Sequence, residues 1–547
     1  MNLSLPHLIV VPIILPLIAA AVLVWLGDRH KLFKSILNVS ATLAGLVVAV
    51  VILWRIDGPG VPGAIRVYLA SNWQAPFGVA LVADRLSALM LVLTGVVSVC
   101  AALYAEAGWA RASVYFHPLF QLQLMGLNGA FLTGDLFNLF VYFEVMLAAS
   151  YGLQLHGSGW PRVRAGLHYI AMNLLASSLF LVGLAVLYGV LGTLSMADIA
   201  EKLEHVPARD HGLLHAGAAI LAVAFLIKAA SWPLNAWLVP AYSATSAPVA
   251  ALFAIMTKVG IYALLRLWTL LFSTDSGPSA HFGRPALLYL GLATIAFGTL
   301  GVMASLRISR IAGFSIIVSS GTLLAALGMD AAAVTSAALF YMLSATPAVS
   351  ALFLLVELIE RTATDGLPRL RDIELPPGED TNLDDAEMPL VGRLFPISIA
   401  LLALMFMTCA VLIAGLPPLS GFVAKFAILA AVLDDDGAGM SPAGWTFLGL
   451  LLLSGLIATV SFSRAGIRTL WKTGQRSAPH LKRVEAIAVL SLIFSCVLLT
   501  VWAEPVMRYT NATAAALHAP RAYIETVLST QALPKPTHSN HDQEGAP

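Results

Sequence analysis

Four ionisable side chains occupy places where an apolar, membrane-length stretch should have none. Glu144 lies within Phe137-Asn138-Leu139-Phe140-Val141-Tyr142-Phe143-Glu144-Val145-Met146-Leu147. Lys228 lies within Ala224-Phe225-Leu226-Ile227-Lys228-Ala229-Ala230, and Lys258 within Phe253-Ala254-Ile255-Met256-Thr257-Lys258-Val259-Gly260. Lys425 follows Pro417-Pro418-Leu419-Ser420-Gly421-Phe422-Val423-Ala424. A charge near the centre of a bilayer costs at least about 2.5–3.5 kcal/mol on insertion scales, so residues of this kind are functional by default. The chemistry open to them is the binding and release of protons. The bland readings are a lysine stem that carries its head to the interface and an ordinary ion pair between helices.

Partners on one helix face stand three or four residues apart. For Glu144 those positions are Phe140, Val141, Leu147 and Ala148; for Lys258 they are Ala254, Ile255, Ile261 and Tyr262. The same positions around Lys228 and Lys425 hold no acidic residue either. Each charge must therefore be answered by another helix, by water, or by becoming neutral. Three lysines facing one central glutamate cannot all be ionised and paired, with Asp84 and Asp135 placed nearer helix ends. Desolvation favours the neutral amine, and adjacent sites of this kind titrate as coupled groups. The four residues thus read as a relay: Glu144 and Lys228 as gate, Lys258 as centre, Lys425 as far end.

The elements that must position them follow from composition. The chain has 547 residues, 59% hydrophobic and 11% charged, against about 25% charged in a soluble domain. A helix needs about 20 apolar residues to cross the hydrocarbon core, and about 14 stretches qualify: 8–26, 34–54, 78–103, 115–134, 136–156, 167–190, 215–239, 246–271, 284–304, 308–328, 331–358, 396–433, 446–463 and 484–503. The runs are continuous rather than alternating, so the fold class is all-α and polytopic, not a β-barrel. The first run has no basic segment before it and reads as a retained helix. Basic residues gather in the odd connections, such as Arg29, Lys31, Arg111, Arg162, Arg164, Arg307, Arg310 and Arg468. By the positive-inside rule those loops are cytoplasmic and both termini lie outside.

Two spans are interrupted, one at Pro233 after Lys228 and one at Pro417-Pro418 before Lys425. Proline removes a backbone donor, and matching broken helices in two halves point to an inverted-repeat transporter. The domain reading is helices 1–3 over residues 1–110, a first repeat over 115–271 and a second over 284–466. A soluble loop at 362–394 lies inside the second repeat, and a last helix with a polar tail covers 467–547. Residues 530–547 read as a disordered tail.

Weaker signals surround this row. His168 starts a span and reads either as a proton donor to the relay or as an interfacial residue. Tyr142, Ser243, Thr245, Ser246 and Thr257 could hold water near the lysines or serve as helix–helix glue. Asp84-Arg85 is a local salt bridge or a partner-subunit contact. The three cysteines, Cys100, Cys409 and Cys496, sit in apolar runs and read as small hydrophobes. No Walker motif, GxGxxG, HExxH or CxxCH occurs. No cofactor, no metal and no enzymatic reaction are expected, and a net charge of +1 favours no nucleic acid. Energy must come from an ion gradient or from other subunits.

At these residues the chain resembles the D subunit of Mrp-type multisubunit monovalent cation/proton antiporters, which are related to the antiporter-like proton-pumping subunits of respiratory complex I. The resemblance rests on Thr133-Gly134-Asp135-Leu136-Phe137-Asn138-Leu139-Phe140-Val141-Tyr142-Phe143-Glu144 and on Gly192-Thr193-Leu194-Ser195-Met196-Ala197-Asp198. It rests also on Lys228 with Pro233-Leu234-Asn235-Ala236-Trp237-Leu238, on Lys258-Val259-Gly260-Ile261-Tyr262 and on Gly415-Leu416-Pro417-Pro418-Leu419-Ser420-Gly421-Phe422. It implies that Glu144 pairs with Lys228, that Lys258 is the central relay and that Lys425 ends the second half-channel. It implies partners of A, B, C, E, F and G type, a cell-membrane location in bacteria, and protons exchanged for a monovalent cation, with Na+ expected. One departure matters: the helix around Tyr341-Met342-Leu343-Ser344-Ala345-Thr346-Pro347 has no ionisable residue between Asp330 and Glu357. A second is Ile316-Ile317-Val318-Ser319-Ser320, where relatives carry a His or Gln after the serines. Water, or Ser319 and Ser344, must bridge Lys258 to Lys425. The alternative readings are a proton-pumping membrane subunit of a redox complex and an assembly subunit with degenerate channels.

Overall fold

A computed structural model describes residues 5–27, 30–58, 64–109, 115–157, 159–274, 276–364, 397–434, 441–470 and 481–532. Over these the chain is almost wholly helical. Helices α1 (Leu5–Leu8), α2 (Val11–Trp25) and α3 (Lys31–Ile56) precede a hairpin, β1 (Arg66–Leu69) and β2 (Ala80–Ala83). Then come α4 (Arg85–Glu106), α5 (Phe116–Leu132), α6 (Leu136–Gln154), α7 (Trp160–Leu191) and the short α8 (Met196–Leu203). The next group is α9 (His211–Lys228), α10 (Leu238–Ala244), α11 (Ala247–Leu271), α12 (Arg284–Ala304), α13 (Ile308–Met329) and α14 (Ala332–Thr364). The last is α15 (Ile397–Ala414), α16 (Ser420–Leu433), α17 (Pro442–Leu470), α18 (Arg483–Val501), α19 (Ala503–His518) and α20 (Arg521–Ser529).

Among the described residues twelve helices are long and apolar enough to cross a membrane, and α2 and α16 are shorter apolar helices. All fourteen stretches expected from the sequence contain helix. The burial pattern is that of a bundle in lipid. Every residue of α11 is buried, and α13 is buried nearly throughout. Peripheral helices turn large apolar side chains outward, among them Trp25, Trp54, Leu174, Leu404, Phe426 and Phe494. Helices apolar all round belong in a core or in lipid, and this bundle supplies both places.

The start of the third span differs from expectation. Residues 80–83 are a strand paired antiparallel to 66–69, in the register Arg66↔Ala83 to Leu69↔Ala80. The helix begins only at Arg85, because Asp84 accepts the Ser87 N–H and Ser87 in turn accepts the Asp84 N–H. That reciprocal cap stops the strand and starts the helix. The first proline-broken span divides into α9 and α10, and the second into α15 and α16. The hairpin, α8, α19 and α20 were not expected. Helix α14 carries the chain to Thr364, and the rest of the 362–394 loop lies outside the described residues, as does nearly all of the 530–547 tail.

Two of the resemblance motifs are welded to each other. The Leu136 N–H donates to Leu194 O and the Met196 N–H to Gly134 O, each at 2.9 Å. Gly134 N–H donates to Ala80 O at 2.9 Å. These bonds tie the hairpin, the start of α6 and the start of α8 into one seam. Asp135 caps α6 by accepting the Asn138 N–H at 2.9 Å.

Candidate proton-translocation site

The first break is built around Lys228, the last residue of α9. A cation suits the end of a helix, where unpaired carbonyls concentrate negative charge. The chain then runs irregularly to α10. Trp237 Nε1–H donates to Ile227 O at 3.1 Å, and the Trp232 N–H donates to Thr294 Oγ1 on α12 at 2.9 Å. Non-helical backbone at membrane depth must be served from neighbouring elements in this way. Gly260 on α11 sits against the break: a Cβ there would lie 2.8 Å from Ala229 N and 2.9 Å from Phe225 O. The missing side chain lets the Lys258 helix touch the end of the Lys228 helix.

Lys228 is 4% exposed. Its Nζ has no hydrogen-bond partner among the described residues and stands 5.3 Å from the centre of the Phe143 ring. Glu144 follows Phe143 on α6, is half-buried, and accepts the hydroxyl of Ser177 on α7. Among the described residues no ion pair joins Glu144 to Lys228. The two side chains do not touch in this conformation, although the Glu144 charge still acts on Lys228 through space. The cause is the order of the side chains: the Phe143 ring faces the ammonium, while the carboxylate turns to Ser177.

Lys258 lies in the middle of α11, 2% exposed, and donates to Ser319 Oγ on α13 at 2.9 Å. Tyr341 on α14 is buried beside Ser319 and Thr322. Three residues further along α14, Ser344 Oγ lies 2.8 Å from Ser420 Oγ at the start of α16. Where the middle of α14 has no charged residue to link Lys258 with Lys425, the hydroxyls are those of Ser319, Tyr341, Ser344 and Ser420, the last two in contact. Thr257 is buried, but its hydroxyl donates to Ala254 O at 3.1 Å within its own helix.

Lys425 ends the row, 8% exposed on α16. Its Nζ donates to Ala414 O at 2.9 Å and Ile413 O at 3.3 Å, at the end of α15. In a continuous helix those carbonyls would accept from residues 418 and 417. Both are prolines, which have no N–H. The ammonium takes the place of the two missing donors.

The auxiliary residues divide. Ser319 is in the row. His168 is exposed on α7 with no hydrogen bond among the described residues, and Tyr142 is half-buried against Gly129 of α5. Thr245 donates to Ala241 O at 2.7 Å and Ser243 to Pro240 O at 3.3 Å, so both stiffen α10. The Asp84-Arg85 pair is not a pair at all. Asp84 is gripped by both Nη atoms of Arg266 on α11, at 2.6 and 2.7 Å, and Arg85 Nη2 bonds Asp57 at 2.9 Å. Adjacent residues at a helix start point different ways, so each found its own partner.

Sequence reasoning missed Ser177, Thr294 and Tyr341. The one available signal was a polar side chain on the buried face of an otherwise apolar helix. Nothing in the spacing links Ser177 to Glu144, 33 residues away.

Residues 133–451, which hold all four ionisable residues of the row, match the family model described as NADH:quinone oxidoreductase/Mrp antiporter, TM. The D subunit of a probable K(+)/H(+) antiporter of Rhizobium meliloti is 49% identical over 96% of this chain and 98% of its own length. The D subunit of the Na(+)/H(+) antiporter of Alkalihalophilus pseudofirmus is 34% identical over 95% of this chain and 99% of its own. A chain of the solved Mrp complex from Dietzia sp. DQ12-45-1b superposes with a TM-score of 0.80 at 27% identity, covering 96% of this chain and 100% of that one. A chain of respiratory complex I from Thermus thermophilus shares the fold, with a TM-score of 0.72 at 21% identity over 95% of this chain and 100% of its own. The chain belongs to the D-subunit family of Mrp-type cation/proton antiporters, multi-pass membrane proteins related to the antiporter-like subunits of complex I.

Proposed function

We propose that this subunit moves protons through Glu144, Lys228, Lys258 and Lys425 inside a multisubunit monovalent cation/proton antiporter. One observation carries the reading: three buried lysines have no carboxylate in contact among the described residues, and two of them bond only to neutral oxygens. An ammonium held permanently in such a place would face the desolvation cost without the compensating pair. A site that accepts and loses a proton faces it only in passing.

The hydroxyls of Ser319, Tyr341, Ser344 and Ser420 supply the link between Lys258 and Lys425 that this chain lacks as a charge. In this reading the arginine-rich connections face the cytoplasm, and both termini and the C-terminal end of α11 lie on the opposite side. The inverted repeats are α5–α11 and α12–α17, each with one broken helix. The cation is monovalent; K+ is favoured over the expected Na+ by the name of the 49% identical relative.

The test is proton/cation exchange in inside-out vesicles of a host without its own antiporters, carrying the whole complex and supplied with K+ or Na+. Lys258→Ala abolishes exchange with either ion while the subunits still assemble. Full exchange by an assembled Lys258→Ala complex overturns the relay, and exchange with Na+ alone overturns the choice of K+.

A further inference from the structure

We propose that His518, with Thr335 and Asp330, is the site at which protons leave this subunit on the face opposite the arginine-rich loops. The inference rests on the relay described above and extends it from Lys258 to the surface.

Three helices lead there from the Lys258–Ser319 bond. Tyr262 is one turn beyond Lys258 on α11, Leu323 one turn beyond Ser319 on α13, and Met342 follows Tyr341 on α14. These three residues line one cavity of about 20 Å³, whose other walls include Leu327, Leu339 and Thr335. That volume holds a single water, and walls this apolar hold it only briefly. The Tyr262 hydroxyl donates out of the cavity to Phe131 O at 2.7 Å. The cavity is thus an apolar gap, wetted only in passing, whose lining begins within one turn of Lys258 and Ser319 and includes Thr335.

Thr335 is not an isolated hydroxyl. Its Oγ1 lies 3.1 Å from His518 Nε2, at the end of α19. His518 Nδ1 lies 3.6 Å from Asp330 Oδ1, and Asp330 Oδ2 bonds His281 Nδ1 at 2.8 Å. Arg284 of α12 also meets Asp330, so the carboxylate stays compensated as protons pass. Half of the His281 side chain is exposed, whereas His518 and Asp330 are each about one-fifth exposed. The series therefore runs from the cavity to water.

The neighbours fix the imidazole's working form. A carboxylate beside Nδ1 favours the proton there, which leaves Nε2 to accept from Thr335. A proton delivered through the Thr335 hydroxyl adds to Nε2, and the Nδ1 proton departs toward Asp330 and water. Return of a proton from Nε2 to Nδ1 by tautomer exchange resets the ring, with no net charge retained. Burial and the nearby Arg284 push the His518 imidazole down to about 4, so the ring passes a proton on rather than storing it.

The experiment uses the whole complex in inside-out vesicles. Thr335→Val keeps the shape and removes the hydroxyl; His518→Gln keeps a polar side chain without a titrating ring. Each lowers exchange roughly a hundredfold or more, the scale of a lost proton-transfer group, with assembly unchanged. His518→Ala is restored by millimolar imidazole, which a purely structural histidine would not allow. Full exchange by His518→Ala beside an inactive Lys258→Ala overturns this exit and leaves the relay standing. Full exchange by Lys258→Ala overturns the relay itself. An impaired His518→Ala that imidazole does not restore, together with a fully active Thr335→Val, assigns His518 to structure and also overturns the exit. Should His518→Ala fail to assemble, Thr335→Val alone decides by the same outcomes.

Discussion

The ammonium of Lys425 lies 2.9 Å from the carbonyl oxygen of Ala414, the acceptor that Pro418 leaves unserved. The break in the helix and the buried lysine are therefore one device. The prolines strip two carbonyls of their donors, and the lysine reaches back to hold them. Proton loss from Lys425 weakens that hold, so the titration of the side chain and the geometry of the break are linked.

This predicts a double effect of Lys425→Met. The apolar replacement has nearly the same length but leaves Ile413 O and Ala414 O without a donor. Each such carbonyl costs about 1–3 kcal/mol when it stays buried. The purified complex should melt at a lower temperature and lose proton exchange. A variant that loses exchange while melting at the original temperature would show that the ammonium does not support the break.

Much of this was legible beforehand, for a definite reason. Charges in apolar runs stand out whatever the fold, so Glu144, Lys228, Lys258 and Lys425 were visible from composition alone. The prolines marked both breaks because a missing N–H is a property of the residue. The start of α4 was not seen, although Asp84 and Ser87 spell a cap, because Ala80–Ala83 reads as apolar helix and as apolar strand equally well. The lack of direct contact between Glu144 and Lys228 was not legible, because side-chain direction, not spacing, put Phe143 beneath the ammonium. Of the hydroxyl series, Ser319 and Ser344 were named as a bridge, but Tyr341 and Ser420 were not, since only packing brings residues from α13, α14 and α16 together.

The closeness of α9 and α11 depends on one missing methyl. Gly260→Ala would place a Cβ within 3 Å of backbone atoms at Ala229 and Phe225, neither of which can rotate away. Overpacking of this kind costs about 1–3 kcal/mol. The expected result is a lower melting temperature and slower exchange, because Lys258 is displaced from the Lys228 break. Melting and exchange both at the level of the unsubstituted complex would mean that the helices separate freely there.

In the proposed relay, Ser319 and Tyr341 act in series between Lys258 and the second half. Ser319→Ala and Tyr341→Phe each remove one hydroxyl and little volume. Each single change should reduce exchange roughly a hundredfold, the low end of the range for a positioned proton-transfer group. Because they interrupt one path, the double variant should be no slower than the slower single. Effects that multiply instead would place the two hydroxyls on independent routes.

His518 gives a pH signature outside the spanning helices. Burial, then the Arg284 guanidinium, lowers its imidazole to about 4. In the unfolded chain it would protonate near the ordinary value of about 6.5. Between those values the unfolded chain binds the extra proton, so the folded subunit loses stability as pH falls from about 6.5 toward 4. His518→Gln should flatten that part of the melting-temperature profile. Histidine-selective NMR should find the His518 ring neutral at pH 5.5; a ring titrating near 6.5 sinks the assignment.

The Asp84–Arg266 pair fixes where α11 ends. Both Nη atoms of the guanidinium grip the carboxylate, both residues are buried, and Asp84 is at the same time the cap of α4. Arg266 is two turns beyond Lys258 on the same helix, so this clamp sets the height of Lys258 against Ser319. Asp84→Ala removes both the cap and the counter-charge, leaving a buried cation alone, which costs about 3–5 kcal/mol. Arg266→Met together with Asp84→Asn removes both charges and keeps an acceptor for the Ser87 N–H. The double variant should regain most of the stability lost by Asp84→Ala. If the clamp only staples helices, the stable double variant exchanges protons at the original rate. If it sets the height of Lys258, exchange stays slow although stability returns, and the latter is the expected outcome. Melting temperature and vesicle exchange, measured on the same preparations, separate the two.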